Sequence, residues 1–132
     1  MKQPTIVIVE DERIVAEDLT KTLERRGYRI AAIASSGEMA IEKVSEHQPD
    51  VVLMDIALSG EMDGIEAAER IRELFAIPIV YLTAYMDKER LTRAQRTGPC
   101  FFCIKPFDEG ELFSTIDRPL EGRAKSFLDI TH

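Results

Sequence analysis

Four places in the sequence set a charged or hydroxyl-bearing residue directly after a short apolar run. Ile6-Val7-Ile8-Val9 leads to Glu10-Asp11-Glu12, and Val51-Val52-Leu53-Met54 to Asp55. Ile79-Val80-Tyr81-Leu82 leads to Thr83-Ala84, and Phe101–Ile104 to Lys105-Pro106. Gathered at one edge, these residues make a pocket of carboxylates with one amine and one hydroxyl. Two like unit charges about 4 Å apart cost about 4 kcal/mol at an effective dielectric near 20, so such a cluster needs a cation. Lys105 supplies one positive charge and cannot balance the set. A hard divalent ion with oxygen ligands fits. Mg²⁺ fits best, with Mn²⁺ as a substitute, because Mg²⁺ keeps several waters and binds one or two carboxylates plus a phosphate. A carboxylate beside it can be a nucleophile toward phosphorus. Phosphoryl transfer then needs in-line placement and neutralisation of the equatorial oxygens. The ion takes one oxygen, the Lys105 ammonium a second, and the Thr83 hydroxyl with the Ala84 N–H the third. A carboxylate of the set, among Glu10, Asp11 and Asp55, is the nucleophile of that arrangement.

The apolar runs alternate regularly with amphipathic stretches. Strands are predicted over Thr5–Glu10, Arg29–Ala34, Val51–Asp55, Ile79–Thr83 and Phe101–Ile104. Continuous apolar runs mark strands covered on both faces, the habit of a parallel sheet. The first helix carries Val15, Leu19 and Leu23 and stops at Gly27. A capping-box pattern from Ser35 to Glu38 opens the second, which carries Ile41 and Val44 and stops before Pro49. Asp63 and Glu66 open the third, which carries Ile65, Ala68 and Ile71. The fourth runs from about Asp87, with Leu91 and Ala94, to Gly98-Pro99. Asp108 and Glu111 open the fifth, which carries Leu112 and Ile116, and Pro119 is expected to end or kink it. Right-handed βα crossovers then give an α/β, flavodoxin-like (βα)5 doubly wound parallel sheet in the order 2-1-3-4-5, with ligands outside the carboxyl ends of the strands. Residues 1–121 form the domain and 122–132 a polar tail.

With 132 residues the chain fits one domain, and its net charge of −7 argues against a surface that grips nucleic acid. No apolar stretch reaches the length of a membrane span, and Met1–Pro4 runs into a strand without a leader pattern, so a cytoplasmic location is expected. Cys100 and Cys103 fit a reducing compartment. Three apart on a strand, they point to opposite faces and read as small buried hydrophobes.

Taken in order, Glu10-Asp11, Asp55, Asp63-Gly64, Thr83-Ala84 and Lys105-Pro106-Phe107 resemble the response-regulator receiver domain of two-component signalling. The resemblance covers Thr5 to Ile116. It implies that Asp55 accepts phosphate from a phosphohistidine on a sensor histidine kinase or a phosphotransfer protein. By the same resemblance Asp11 and Asp55 ligate Mg²⁺ with the backbone carbonyl of Ala57, and Glu10 acts through a water. Thr83 shifts and Phe102 turns inward on activation, the Lys105–Pro106 bond is cis, and the face of helix four, strand five and helix five signals or forms a phosphorylation-dependent homodimer. The domain catalyses its own phosphorylation and slow dephosphorylation and is not a conventional enzyme.

Some positions depart from the family's usual pattern. Glu10 stands for an aspartate, the loop Ile56–Met62 is one residue longer with Ser59-Gly60 in place of a proline, and Phe102 lacks the hydroxyl of the usual tyrosine. The segment Gly60–Gly64 resembles a receiver subgroup often attached to sensor kinases. Ala57 and Tyr85 flank the path of attacking water, and Ala57 cannot orient it, which predicts a long-lived aspartyl phosphate. Glu12 reads as a helix-start acid, and Phe101 and Phe107 as core. An aspartate-nucleophile phosphatase would want an acid where Ala57 stands, and a nucleotide or flavin module would want glycines in the first turn. A pseudo-receiver is disfavoured by the intact Asp11, Asp55, Thr83 and Lys105.

Overall fold

The β-branched runs become five parallel strands, ordered β2-β1-β3-β4-β5. They are β1 (Thr5–Val9), β2 (Arg29–Ala34), β3 (Val51–Asp55), β4 (Ile79–Ala84) and β5 (Phe101–Lys105), alternating with α1 (Arg13–Arg26), α2 (Gly37–His47), α3 (Gly64–Leu74), α4 (Lys88–Arg96) and α5 (Glu109–Thr131). The computed structural model describes residues 3–84, 88–98 and 100–131, with the side chains of those up to 121. Asp87, the expected start of α4, lies outside the described residues.

Alternation along each strand divides the core in two. Val7, Val9, Val52, Met54 and Tyr81 face Val44, Ile65 and Ile71 of α2 and α3. Ile6, Ile8, Leu53, Val80 and Leu82 face Leu19 and Leu23 of α1 and Leu112 and Ile116 of α5. Every residue of β3 is buried, so this strand has no solvated face. Full burial of one such aliphatic side chain is worth about 1.5–3 kcal/mol, which holds the sheet's centre far more firmly than the exposed ion pairs around it. Cys100 belongs to the first layer and Cys103 to the second, on opposite sides of the sheet as their spacing predicts.

Helix punctuation follows the sequence with two corrections. Gly27 ends α1 at φ +104°, its N–H donating to the Leu23 and Glu24 carbonyls, and Asp63 caps α3 by accepting from the Glu66 N–H at 2.9 Å. Asp108 does the same for α5 through Glu111 at 2.8 Å. The cap of α2, however, is Ser36, which accepts from the Met39 N–H; Ser35 instead turns its N–H and hydroxyl to the Met39 sulfur. Pro119 does not end α5, which runs on to Thr131. The apolar stripe of Leu112 and Ile116 continues through the buried Pro119 to Leu120, which packs on the α1/α5 layer. That burial offsets the backbone hydrogen bond the proline removes.

Candidate active site at the strand ends

The carboxyl ends of β1, β3, β4 and β5 lie side by side. β1 pairs with β3 from Ile6↔Val51 to Val9↔Met54, which sets Glu10 and Asp11 beside Asp55. β3 pairs with β4 up to Asp55↔Leu82, and β4 with β5 up to Thr83↔Ile104 and Ala84↔Lys105. Register alone therefore delivers every residue of the pocket to one edge.

Glu10, Asp11 and Asp55 each offer a carboxylate oxygen within 4.8 Å of the others. Glu10 and Asp55 are buried and Asp11 half-buried. Lys105 brings its Nζ to 3.8 Å from Asp55 Oδ1, and its peptide bond to Pro106 is cis. Thr83 is buried, its hydroxyl donating at 3.4 Å to the Ala84 carbonyl, a long contact that a better acceptor could replace. Ala84 is exposed beside it. Ala57 stands just beyond β3, its N–H donating at 3.0 Å to Asp55 Oδ1. Tyr85 lies outside the described residues.

Burial pushes Glu10 up to about 7; the Glu12 N–H at Oε2 opposes this, and the neighbouring Asp55 charge adds to it. Asp11 moves the other way, held below its ordinary range chiefly by a hydrogen bond from the Ser59 hydroxyl. The pocket thus gathers three carboxylates around one ammonium, itself part-exposed, with Glu10 and Asp11 shifted in opposite directions. Hard oxygen donors in this number, short of positive charge, fit a divalent cation such as Mg²⁺ and offer nothing to a soft metal.

Two neighbours were not visible as such in the sequence. Ser59 donates to Asp11 Oδ2 through its hydroxyl at 2.5 Å and its N–H at 3.2 Å. Arg93 of α4 holds the other oxygen of the α3 cap, Asp63 Oδ2, at 2.9 Å. The unusual length of the loop marked Ser59; no spacing marks Arg93. Gly64 has a sharper role than opening a helix. A Cβ there would sit 2.3 Å from the Asp55 carbonyl oxygen and 3.0 Å from Ile56 Cα. Only glycine lets α3 start against the backbone that carries Asp55.

Phe102 is half-buried and stacks on Tyr81, ring centroids 5.6 Å apart and planes 22° from parallel. Both rings lie in the α2/α3 layer, whereas Phe101 and Phe107 pack in the α1/α5 layer.

The family model for the response regulator receiver domain matches residues 6–117. The chain belongs to that family. It is 36% identical over 112 residues to the transcriptional regulatory protein PdtaR of Mycobacterium tuberculosis, covering 85% of this chain and 54% of that protein. To the transcriptional regulatory protein ZraR of Escherichia coli K12 it is 37% identical over 116 residues, 87% of this chain and 26% of that one. The chain thus spans between about a quarter and about half of these relatives. Among solved structures, it superposes on the signal receiver domain of a modulated diguanylate cyclase from Desulfovibrio desulfuricans G20 with a TM-score of 0.87 at 32% identity, over 95% of this chain and 99% of that one. The receiver domain of PhyR from Erythrobacter litoralis gives 0.79 at 34% identity, over 91% and 92%. Five parallel strands in the order 2-1-3-4-5 with five helices are the fold these receivers share. Receiver domains bind Mg²⁺ through an acidic pocket, and the pocket here is acidic. No helix among the described residues is long and apolar enough to cross a membrane.

Proposed function

We propose that this receiver domain takes a phosphoryl group onto Asp55 from a phosphohistidine of a sensor kinase or phosphotransfer protein, and that it catalyses the transfer itself. The observation that carries this reading is the placement of Asp55: buried, 3.8 Å from the Lys105 ammonium and within 4.8 Å of two further carboxylates. An Asp55 carboxylate oxygen forms a bond to phosphorus as the P–N bond of the donor breaks. The donor imidazole keeps the electron pair and takes a proton from solvent. Glu10, Asp11 and Asp55, with the Ala57 carbonyl, are the residues that would hold Mg²⁺ or its substitute Mn²⁺. When bound, the ion neutralises the carboxylates and draws charge from a phosphoryl oxygen. Lys105 already faces Asp55 and would pair with a second oxygen, while the Thr83 hydroxyl exchanges its long bond to Ala84 for a third, beside the Ala84 N–H.

Activation on this reading moves Thr83 toward the phosphoryl group, Phe102 follows, and the α4, β5 and α5 face changes for a protein partner or a second copy. Water attacks phosphorus slowly, because Ala57 offers it no polar side chain; Ala57 and Tyr85 flank the water's path and together tune that rate. On this reading residues 1–121 act as the unit, in which Leu120 packs on the α1/α5 layer, and 122–132 extend beyond it. A protein, rather than nucleic-acid, partner accords with the net charge of −7, and a cytoplasmic location belongs to the same reading.

Incubation with acetyl phosphate and Mg²⁺, followed by intact mass, tests the central claim. One phosphoryl gain is expected, absent from Asp55→Ala. No gain, or a gain that survives that substitution, refutes it.

A further inference from the structure

We infer that Ser59 is a positioning residue for the metal centre, holding Asp11 in the orientation in which it can ligate. The inference rests on the reading of Asp11 and Asp55 as Mg²⁺ ligands. Ser59 lies on the exposed β3–α3 loop, 48 positions from Asp11 in sequence, yet gives that carboxylate two hydrogen bonds. Its hydroxyl is 2.5 Å from Asp11 Oδ2, in the range of a charge-assisted O–H···O⁻ bond, and its N–H reaches the same oxygen at 3.2 Å. Gly60 follows at φ +104°, a conformation side-chain-bearing residues rarely adopt, so the chain turns away immediately after the contact.

Ala57 of the same loop donates to Asp55 Oδ1. One loop therefore grips both carboxylates, Asp55 by a backbone N–H and Asp11 by Ser59. Asp11 stands at a turn between β1 and α1 and is half-exposed, so its side chain would otherwise sample several rotamers. Mg²⁺ demands near-ideal octahedral geometry and tolerates little wandering of its ligands. Groups that hydrogen-bond a metal ligand and fix its orientation typically cost 10–100-fold in metal affinity when removed. Ser59 stands in that relation to Asp11.

Calorimetric titration of the full chain with Mg²⁺, with no phosphodonor, separates the possibilities. Ser59→Ala is expected to weaken Mg²⁺ binding by about tenfold, and Ser59→Thr, which keeps the hydroxyl, to restore it. Thermal melts of both should match the wild type, since the side chain is exposed. Equal binding by Ser59→Ala overturns the inference, as does tighter binding, which would make the hydroxyl a competitor of the ion. Failure of Ser59→Thr to bind better than Ser59→Ala also overturns it. Asp11→Ala is the reference: wild-type binding lost in Asp11→Ala leaves the metal reading standing whatever Ser59 does, and wild-type chain that binds no Mg²⁺ removes both.

Discussion

The two turns that bracket the acidic pocket are built in opposite ways. The turn after β1 passes from Val9 to Arg13, the first residue of α1, almost at once. Its last residue, Glu12, makes no side-chain cap. The turn after β3 runs from Ile56 to Asp63 and spends its length on contacts: Ala57 to Asp55, Ser59 to Asp11, and Asp63 to both the α3 N–H groups and Arg93. The short turn delivers charge and holds only its own Glu10, through the Glu12 N–H, whereas the long one orients Asp55 and reaches across to Asp11. A pocket of like charges needs both, because the groups that bind a cation repel one another until it arrives.

Substitutions that treat the two turns and the strand between them separately should rank clearly. Asp55→Asn is expected to abolish phosphorylation by small phosphodonors while leaving the melting curve near that of the wild type, read by intact mass and circular dichroism. A modified Asn variant would break the comparison at its root. Leu53→Ala, two residues earlier on the same buried strand, should instead cost about 2–5 kcal/mol in urea unfolding by leaving a cavity. Gly64→Ala should cost about 1–3 kcal/mol, because the added methyl meets the Asp55 carbonyl and forces α3 outward; phosphorylation should slow with it. A neutral Gly64→Ala would show that α3 moves freely.

Asp63→Ala, at the far end of the long turn, should cost about 1 kcal/mol through the lost cap, with the Arg93 pair adding less because Arg93 is part-exposed and its charge is screened by solvent. Burial pushes the Asp63 carboxyl up, but the Glu66 N–H and the Arg93 guanidinium outweigh it and leave it below the usual 3.8. The unfolded chain therefore takes up its proton first as pH falls. The stabilisation is present above about pH 4 and lost as pH drops through the lowered folded value. Urea midpoints of wild type and Asp63→Ala should accordingly converge in strong acid; a gap that stays constant with pH would assign the effect to packing. The smallest effect belongs to Ala57→Asn, which should shorten the lifetime of the phosphorylated protein, timed by loss of the mass increment, with little change in stability. An unchanged or slower loss removes Ala57 from the control of water.

The sheet and the pocket were readable in the sequence for one reason. A strand buried on both faces is written as an unbroken apolar run, and the residue that ends the run is the residue at the sheet's edge. Ile6–Val9, Val51–Met54 and Ile79–Leu82 thereby located Glu10, Asp55 and Thr83 before any geometry was known. Contacts that cross between elements left no such mark. Ser59 on Asp11 and Arg93 on Asp63 depend on where two loops or two helices meet, and neither has a period or a spacing. The cap of α2 fell one residue later than the Ser35–Glu38 pattern suggests because two adjacent serines compete for one role. Pro119 did not end α5 for a related reason: a proline's local effect on the backbone is known from sequence, but its burial is a tertiary fact.

The seat of α3 on Asp55 has a mechanical meaning. Most contacts between a helix and a strand pass through side chains, whose torsions yield under small displacements. At Gly64 the helix meets the strand backbone to backbone, with nothing between them that can rotate. A joint of that kind is stiff. When the Asp55 carbonyl moves by a few tenths of an ångström, the first turn of α3 must travel with it or the contact must open.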